Sequence, residues 1–243
     1  KWVDICVHFA PNMHLFAPVI AVSLYMSFDK ILLGSISGME QAGYYEYADK
    51  IARMPLAIVT ALCTVLLPHM TAKLAAAIGV AFGIAAISPE LVPVFLGNGY
   101  EPCVFIIPTV AVALPFISAS NVIGINYMLP TCMDKLYTRS VWVGAVTNVV
   151  LCLLLLHPFG AFGAAIATVL TEVSVLAVQC WSVRDEIPLK TYFSEALPFL
   201  CVGILMTIII RAAVNASLPV LGLGWPILVL EIIAAIIVYG GLS

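Results

Sequence analysis

Long apolar runs recur from one end of this chain to the other, and short connections between them hold most of the charge. A helix needs about 20 mostly apolar residues to cross about 30 Å of hydrocarbon. Eight stretches meet or approach that length: about His14 to Phe28, Tyr44 to Met70, Leu74 to Phe95, Pro102 to Met128, Ser140 to His157, Gly160 to Trp181, Phe193 to Ile210 and Leu218 to Gly240. In a bilayer core every backbone N–H and C=O must find its partner within the protein, which a helix achieves unaided. The pattern predicts an all-α integral membrane protein with about eight transmembrane helices. Composition decides against a soluble helical bundle. Of the 243 residues 63% are hydrophobic and 9% charged, against about 25% charged in soluble domains.

Several function classes drop out. The net charge is −3 and no basic run offers itself to nucleic acid. The seven cysteines are scattered singly with no CxxC, which predicts neither a disulfide framework nor a metal site. There is no nucleophile elbow, HExxH or P-loop, so the chain reads as a non-enzyme without a cofactor. Residues 1–13 read as a linker or amphipathic segment.

Two segments depart from the simple pattern. Leu74 to Ile87 runs apolar only as far as Ser88-Pro89-Glu90, and at about 1.5 Å per residue that core is short for a bilayer. The expectation is an interrupted helix that either joins the preceding span as one bent hairpin or, the reading preferred, follows residues missing from the sequence near 71–78. The segments before and after Pro158-Phe159 are so close that they must form a tight antiparallel hairpin. Within the second of them Gly163, Ala167 and Thr171 repeat every four residues, a small-residue stripe that predicts close helix packing.

The segment from Tyr44 carries its charge on one side. Glu46, Asp49, Lys50 and Arg53 fall at i, i+3, i+4 and i+7 and so share a helical face, which Ala57, Thr60 and Thr64 continue inward. Two readings stand. Glu46–Lys50 and Asp49–Arg53 are favourable i,i+4 pairs, worth about 0.2–0.5 kcal/mol each, of a helix end in water. Alternatively the stripe lines a water-filled cavity. Arg53 lies about 22 Å of helix from Pro68, which puts it at the edge of the hydrocarbon, and Pro55 favours a kink beside it. Deeper polar residues include Asn148, Thr168, Glu172 and Glu231. Glu172 is either an ion or proton site or a helix end near the cytoplasm, with Arg184 twelve residues on.

Lys and Arg in the loops set orientation. Lys1, Lys73, Lys135, Arg139, Arg184 and Lys190 fall on one side, predicted cytoplasmic, and Lys30, Lys50, Arg53 and Arg211 on the other.

One family shares these residues in order. Leu24-Tyr25 and Asp29-Lys30-Ile31-Leu32-Leu33-Gly34 are followed by Gly43-Tyr44-Tyr45, Lys50-Ile51 and Val65-Leu66-Leu67-Pro68. Then come Ser88-Pro89-Glu90-Leu91, Leu96-Gly97-Asn98-Gly99-Tyr100, Ser120-Asn121, Leu129-Pro130-Thr131, Asp134-Lys135, Gly144-Ala145 with Asn148, and Phe159-Gly160-Ala161-Phe162-Gly163. The sequence resembles the oligosaccharide (O-antigen and capsule repeat-unit) flippases of the multidrug/oligosaccharidyl-lipid/polysaccharide exporter superfamily.

The resemblance implies a MATE-like transporter of two lobes around a central cavity. Residues 14–182 would be the six-helix bundle of the second lobe and residues 183–243 two additional C-terminal helices, in a multi-pass protein of the cytoplasmic membrane. The first lobe of the same protein would be a missing partner. The substrate would be a polyprenyl-pyrophosphate-linked oligosaccharide among membrane lipid, its pyrophosphate held by Arg53 and Lys50 on the face shared with Asp49, Glu46, Thr60 and Thr64. Relatives that couple to H⁺ or Na⁺ suggest Asp29, Asn148 and Thr168 for an ion, beside Glu172. The alternatives are a multidrug cation antiporter of the same superfamily and a membrane scaffold that transports nothing.

Overall fold

The computed structural model describes residues 20, 23, 27–66, 70–221 and 224–242, with the side chains of 58–66, 70, 216–221 and 242 left aside. The described chain is helical almost throughout. Helix α1 covers 27–36. Next come α2 (Met39–Leu66), α3 (Met70–Leu91) with a π-helical turn at Val92–Leu96, α4 (Cys103–Ala111) and α5 (Ala113–Ile123) with a second π turn at Gly124–Met128. Then follow α6 (Asp134–Val183), α7 (Leu189–Leu221) and α8 (Trp225–Leu242). Among the described residues Thr71–Leu96, Cys103–Met128, Asp134–Val183 and Leu189–Asn215 are long and apolar enough to cross a membrane. Seven of the eight expected segments coincide with helices; the first, about His14 to Phe28, lies mostly outside the described residues.

The boundaries shift where local chemistry overrides the hydropathy pattern. α3 does not stop at Ser88-Pro89-Glu90 but runs through Pro89 into the π turn. Proline removes one backbone donor, and the wider turn absorbs the mismatch before Gly97, at φ +83°, ends it with its N–H on the Val92 carbonyl. The span is 26 residues long, so its length no longer argues for missing residues. Leu218–Leu221 belongs to α7, and α8 starts only at Trp225.

The chain forms two compact units, one from residues 1–42 with 119–187, the other from 43–118 with 188–243. The first is built on α6, whose two arms meet at Gly160 (φ +54°, ψ −131°). Non-helical dihedrals there disturb the backbone ladder, and the α1–α2 turn supplies substitutes. Ser37 Oγ donates to the Leu156 carbonyl at 2.9 Å, and the Ala161 N–H donates to Gln41 Oε1 at 3.1 Å. The arms run antiparallel: Gln179 Nε2 donates to Ser140 Oγ at 3.3 Å, and Gly144 lies against Val175 and Thr171. The predicted hairpin is present, and Gly163, Ala167 and Thr171 are buried in it.

In the second unit α7 runs parallel to α3. Thr71 Oγ1 donates to Glu195 Oε2 at 2.8 Å, Thr207 Oγ1 to the Phe82 carbonyl at 3.4 Å, and Arg211 Nη1 to the Ala86 carbonyl at 3.0 Å. α8 runs antiparallel to α3, its Tyr239 hydroxyl donating to the Ala75 carbonyl at 2.6 Å while Trp225 meets Phe95 edge-on. Ala86, Met206, Ile210, Val214 and Ile227 make the shared core. Ser88 Oγ ties α3 to the Val104 carbonyl of α4 at 3.0 Å. A groove of about 670 Å³ opens among α3, α7 and α8, lined by Gly79, Gly83, Met206, Ile232 and Ile236 and by Pro55 of α2.

Candidate functional site

Two sets of residues were expected to carry function, and the structure treats them differently. On α2 both i,i+4 pairs form. Lys50 Nζ lies 2.8 Å from Glu46 Oε1, and Arg53 Nε 2.5 Å from Asp49 Oδ1. They differ in setting. The Lys50 side chain is 64% exposed, whereas those of Arg53 and Asp49 are 24% and 12% exposed. Each cation on this face therefore meets a carboxylate of its own helix, as the helix-end reading requires, while the Asp49–Arg53 pair is largely buried. An anion reaching this face finds the Arg53 guanidinium already engaged by Asp49. Thr60 and Thr64 continue the helix, with side chains outside those described.

The second set, Asp29, Asn148, Thr168 and Glu172, is buried throughout, at 4%, 1%, 5% and 5% exposure. All four belong to the first unit. Asp29 Oδ1 accepts the Lys30 backbone N–H at 2.7 Å and lies within electrostatic reach of Cys152. Cys152 Sγ–H in turn donates to Asn148 Oδ1 at 3.9 Å. Thr168 and Glu172 approach from the other arm of α6. Ser140 against Gln179 and Gly144 against Val175 fix the antiparallel register. Carried on by one turn, it puts Asn148 level with Thr171, flanked by Thr168 and Glu172. Thr168 Oγ1 donates to the Ala164 carbonyl at 3.0 Å, while Thr171 Oγ1 is buried with no hydrogen-bond partner. The result is a polar layer within an apolar hairpin. Cys152 and Thr171 join it unforeseen; each reads in the sequence as packing, and only the Cys152–Asn148 hydrogen bond and the arm register reveal them.

Buried charge in the second unit was also missed. Arg211, counted in the sequence among loop charges, lies inside α7 and pairs with Glu90 Oε2 at 2.6 Å. Glu90, read as a helix interruption, is 4% exposed inside α3. Each residue gains a place in the membrane from the other, which neither segment shows alone.

Buried polar groups in packed apolar helices, several of them long enough to cross a bilayer, describe an all-α, multi-pass membrane protein. The comparisons with known proteins agree. The family model described as "Polysaccharide biosynthesis protein" matches residues 4–74. A putative O-antigen transporter of Escherichia coli (strain K12) is 27% identical over 197 residues, covering 73% of this chain and 47% of that protein. The solved structure of the lipid II flippase MurJ in an inward closed conformation superposes with a TM-score of 0.70 at 16% identity, over 97% of this chain and 54% of that one. The resemblance to oligosaccharide flippases of the multidrug/oligosaccharidyl-lipid/polysaccharide exporter superfamily is thereby borne out, and the fold is that of an all-helical membrane transporter. The chain spans about half the length of these relatives.

Proposed function

We propose that the chain is part of a flippase that carries a polyprenyl-pyrophosphate-linked oligosaccharide across the cytoplasmic membrane for polysaccharide biosynthesis. The observation that carries this reading is the likeness, over 197 residues, to a putative O-antigen transporter. The largely buried Asp49–Arg53 pair supports it. A guanidinium presents paired N–H donors to a phosphate, and exchange of Asp49 for a pyrophosphate gives a head group that is held and then released. Lys50, more exposed and paired with Glu46, meets the head group first. The apolar groove of the second unit offers a lipid chain a surface as apolar as the bilayer. Asp29, Asn148, Thr168 and Glu172 form the layer that binds a coupling H⁺ or Na⁺, since buried ionisable groups in spanning helices mark ion or proton sites. The missing partner is another lobe of the same protein, and movement follows alternating access between lobes.

Arg53→Ala in the full-length protein is expected to abolish glycan export while membrane insertion is unchanged. Surface polysaccharide is read by gel or lectin staining and insertion by membrane fractionation. Wild-type surface glycan in that mutant removes the pyrophosphate role from Arg53.

A further inference from the structure

The last helix carries a carboxyl group that nothing above uses. Glu231 sits in α8 at 2% exposure, and neither of its carboxyl oxygens has a hydrogen-bond partner. Two contacts fix its level. Phe95 meets Trp225 near one end of α8, and Tyr239 reaches the Ala75 carbonyl near the other. Glu231 therefore lies between these contacts, beside the part of α3 that holds Ala86 and Glu90. The charged groups that face it are Glu90 from α3 and Arg211 from α7, both within electrostatic reach. α8 itself carries no other charged residue, and its Tyr239 lies about two turns away.

The charge balance of this cluster is already complete without Glu231. Glu90 and Arg211 pair at 2.6 Å, and the same Nη1 donates to the Ala86 carbonyl at 3.0 Å. A second ionised carboxylate would be buried with no donor from the protein, a state that side chains escape by taking up a proton. A metal cation would instead need a shell of several oxygens. Among the described residues no group of three or more His, Cys, Asp or Glu gathers to form one.

We propose that Glu231 is a proton-binding site of the second unit, taking up and releasing a proton beside the Glu90–Arg211 pair. The exchange is a plain protonation: a proton from water joins a carboxylate oxygen and later returns to water. With the proton on, the cluster is neutral and Arg211 stays with Glu90. With the proton off, two carboxylates compete for one guanidinium, whose planar fork has five N–H donors, and α8 is drawn towards α7. The ligand thus alters how α8 is held against α3 and α7. This inference concerns a different unit from Asp29 and Asn148, and does not depend on the identity of the transported substrate.

The test is infrared difference spectroscopy of the protein in lipid nanodiscs, acid minus neutral, in potassium buffer. A protonated-carboxyl C=O band should appear that is lost in Glu231→Gln, retained in Glu90→Gln, and moved in frequency or titration midpoint in Glu231→Asp. The aspartate variant keeps a titratable group, so a folding failure of the glutamine variant does not decide the matter. Spectra in which neither Glu231 variant alters any carboxyl band overturn the proposal. So does loss of the Glu231 band at fixed pH on addition of sodium, which would make Glu231 a cation ligand.

Discussion

Arg211 occupies a position that a cation keeps in a spanning helix only with partners at hand. It has two, the Glu90 carboxylate and the Ala86 carbonyl. Replacing it by methionine leaves Glu90, 4% exposed, without its donor, and an unsatisfied buried acceptor costs about 1–3 kcal/mol. Arg211→Met should lower the thermal unfolding temperature in detergent, and adding Glu90→Gln should recover part of the loss, since the stranded charge is then gone. Additive losses in the double mutant would show that the two residues act separately. A single chain of letters hides this pair because its members stand 121 positions apart, one beside a proline and the other just past the apolar run Phe193 to Ile210. By contrast Asp49–Arg53 and Glu46–Lys50 were legible at once, because helical periodicity alone puts residues four apart side by side.

At the scale of elements, α6 shows what small residues do where two arms press together. A Cβ on Gly144 would collide with Val175 Cγ2, and extra volume in a packed interface costs about 1–3 kcal/mol. Gly144→Ala is expected to destabilise the hairpin by that order, with Val175→Ala in the same chain restoring much of it, as measured by thermal unfolding of the single and double mutants. The hairpin was legible from Pro158-Phe159 and from the small-residue stripe. Its fastening was not, because Ser37 and Gln41 read as ordinary polar residues until the bend at Gly160 gives them backbone groups to meet. The same limit applied to α3. Hydropathy and Pro89 suggested an interruption, whereas the π turn lets the helix continue. Sequence patterns report what each turn prefers, not what neighbouring helices supply.

For the whole molecule the decisive prediction concerns phenotype. Deleting the gene should remove surface polysaccharide and leave drug sensitivity unchanged, tested by glycan staining and by growth across cationic drugs. The opposite pair of results would favour a multidrug antiporter. The fold class was legible at this scale because 63% hydrophobic and 9% charged residues leave few architectures open. The polar layer of the first unit was legible only in part. Resemblance named Asp29, Asn148 and Thr168, but the common depth of Asn148 and Thr168 depends on the register of the α6 arms.

The parallel course of α7 along α3 has a mechanical consequence. Polar ties at Thr71–Glu195, Phe82–Thr207 and Ala86–Arg211 fasten the two at successive heights, and the last of them sits at the proline of α3. A rod that would otherwise hinge at Pro89 is splinted there by its neighbour. Among the described residues α8 is tied to the same rod by a single side-chain hydrogen bond, Tyr239 to the Ala75 carbonyl, so the splint is built from α7 and not from α8.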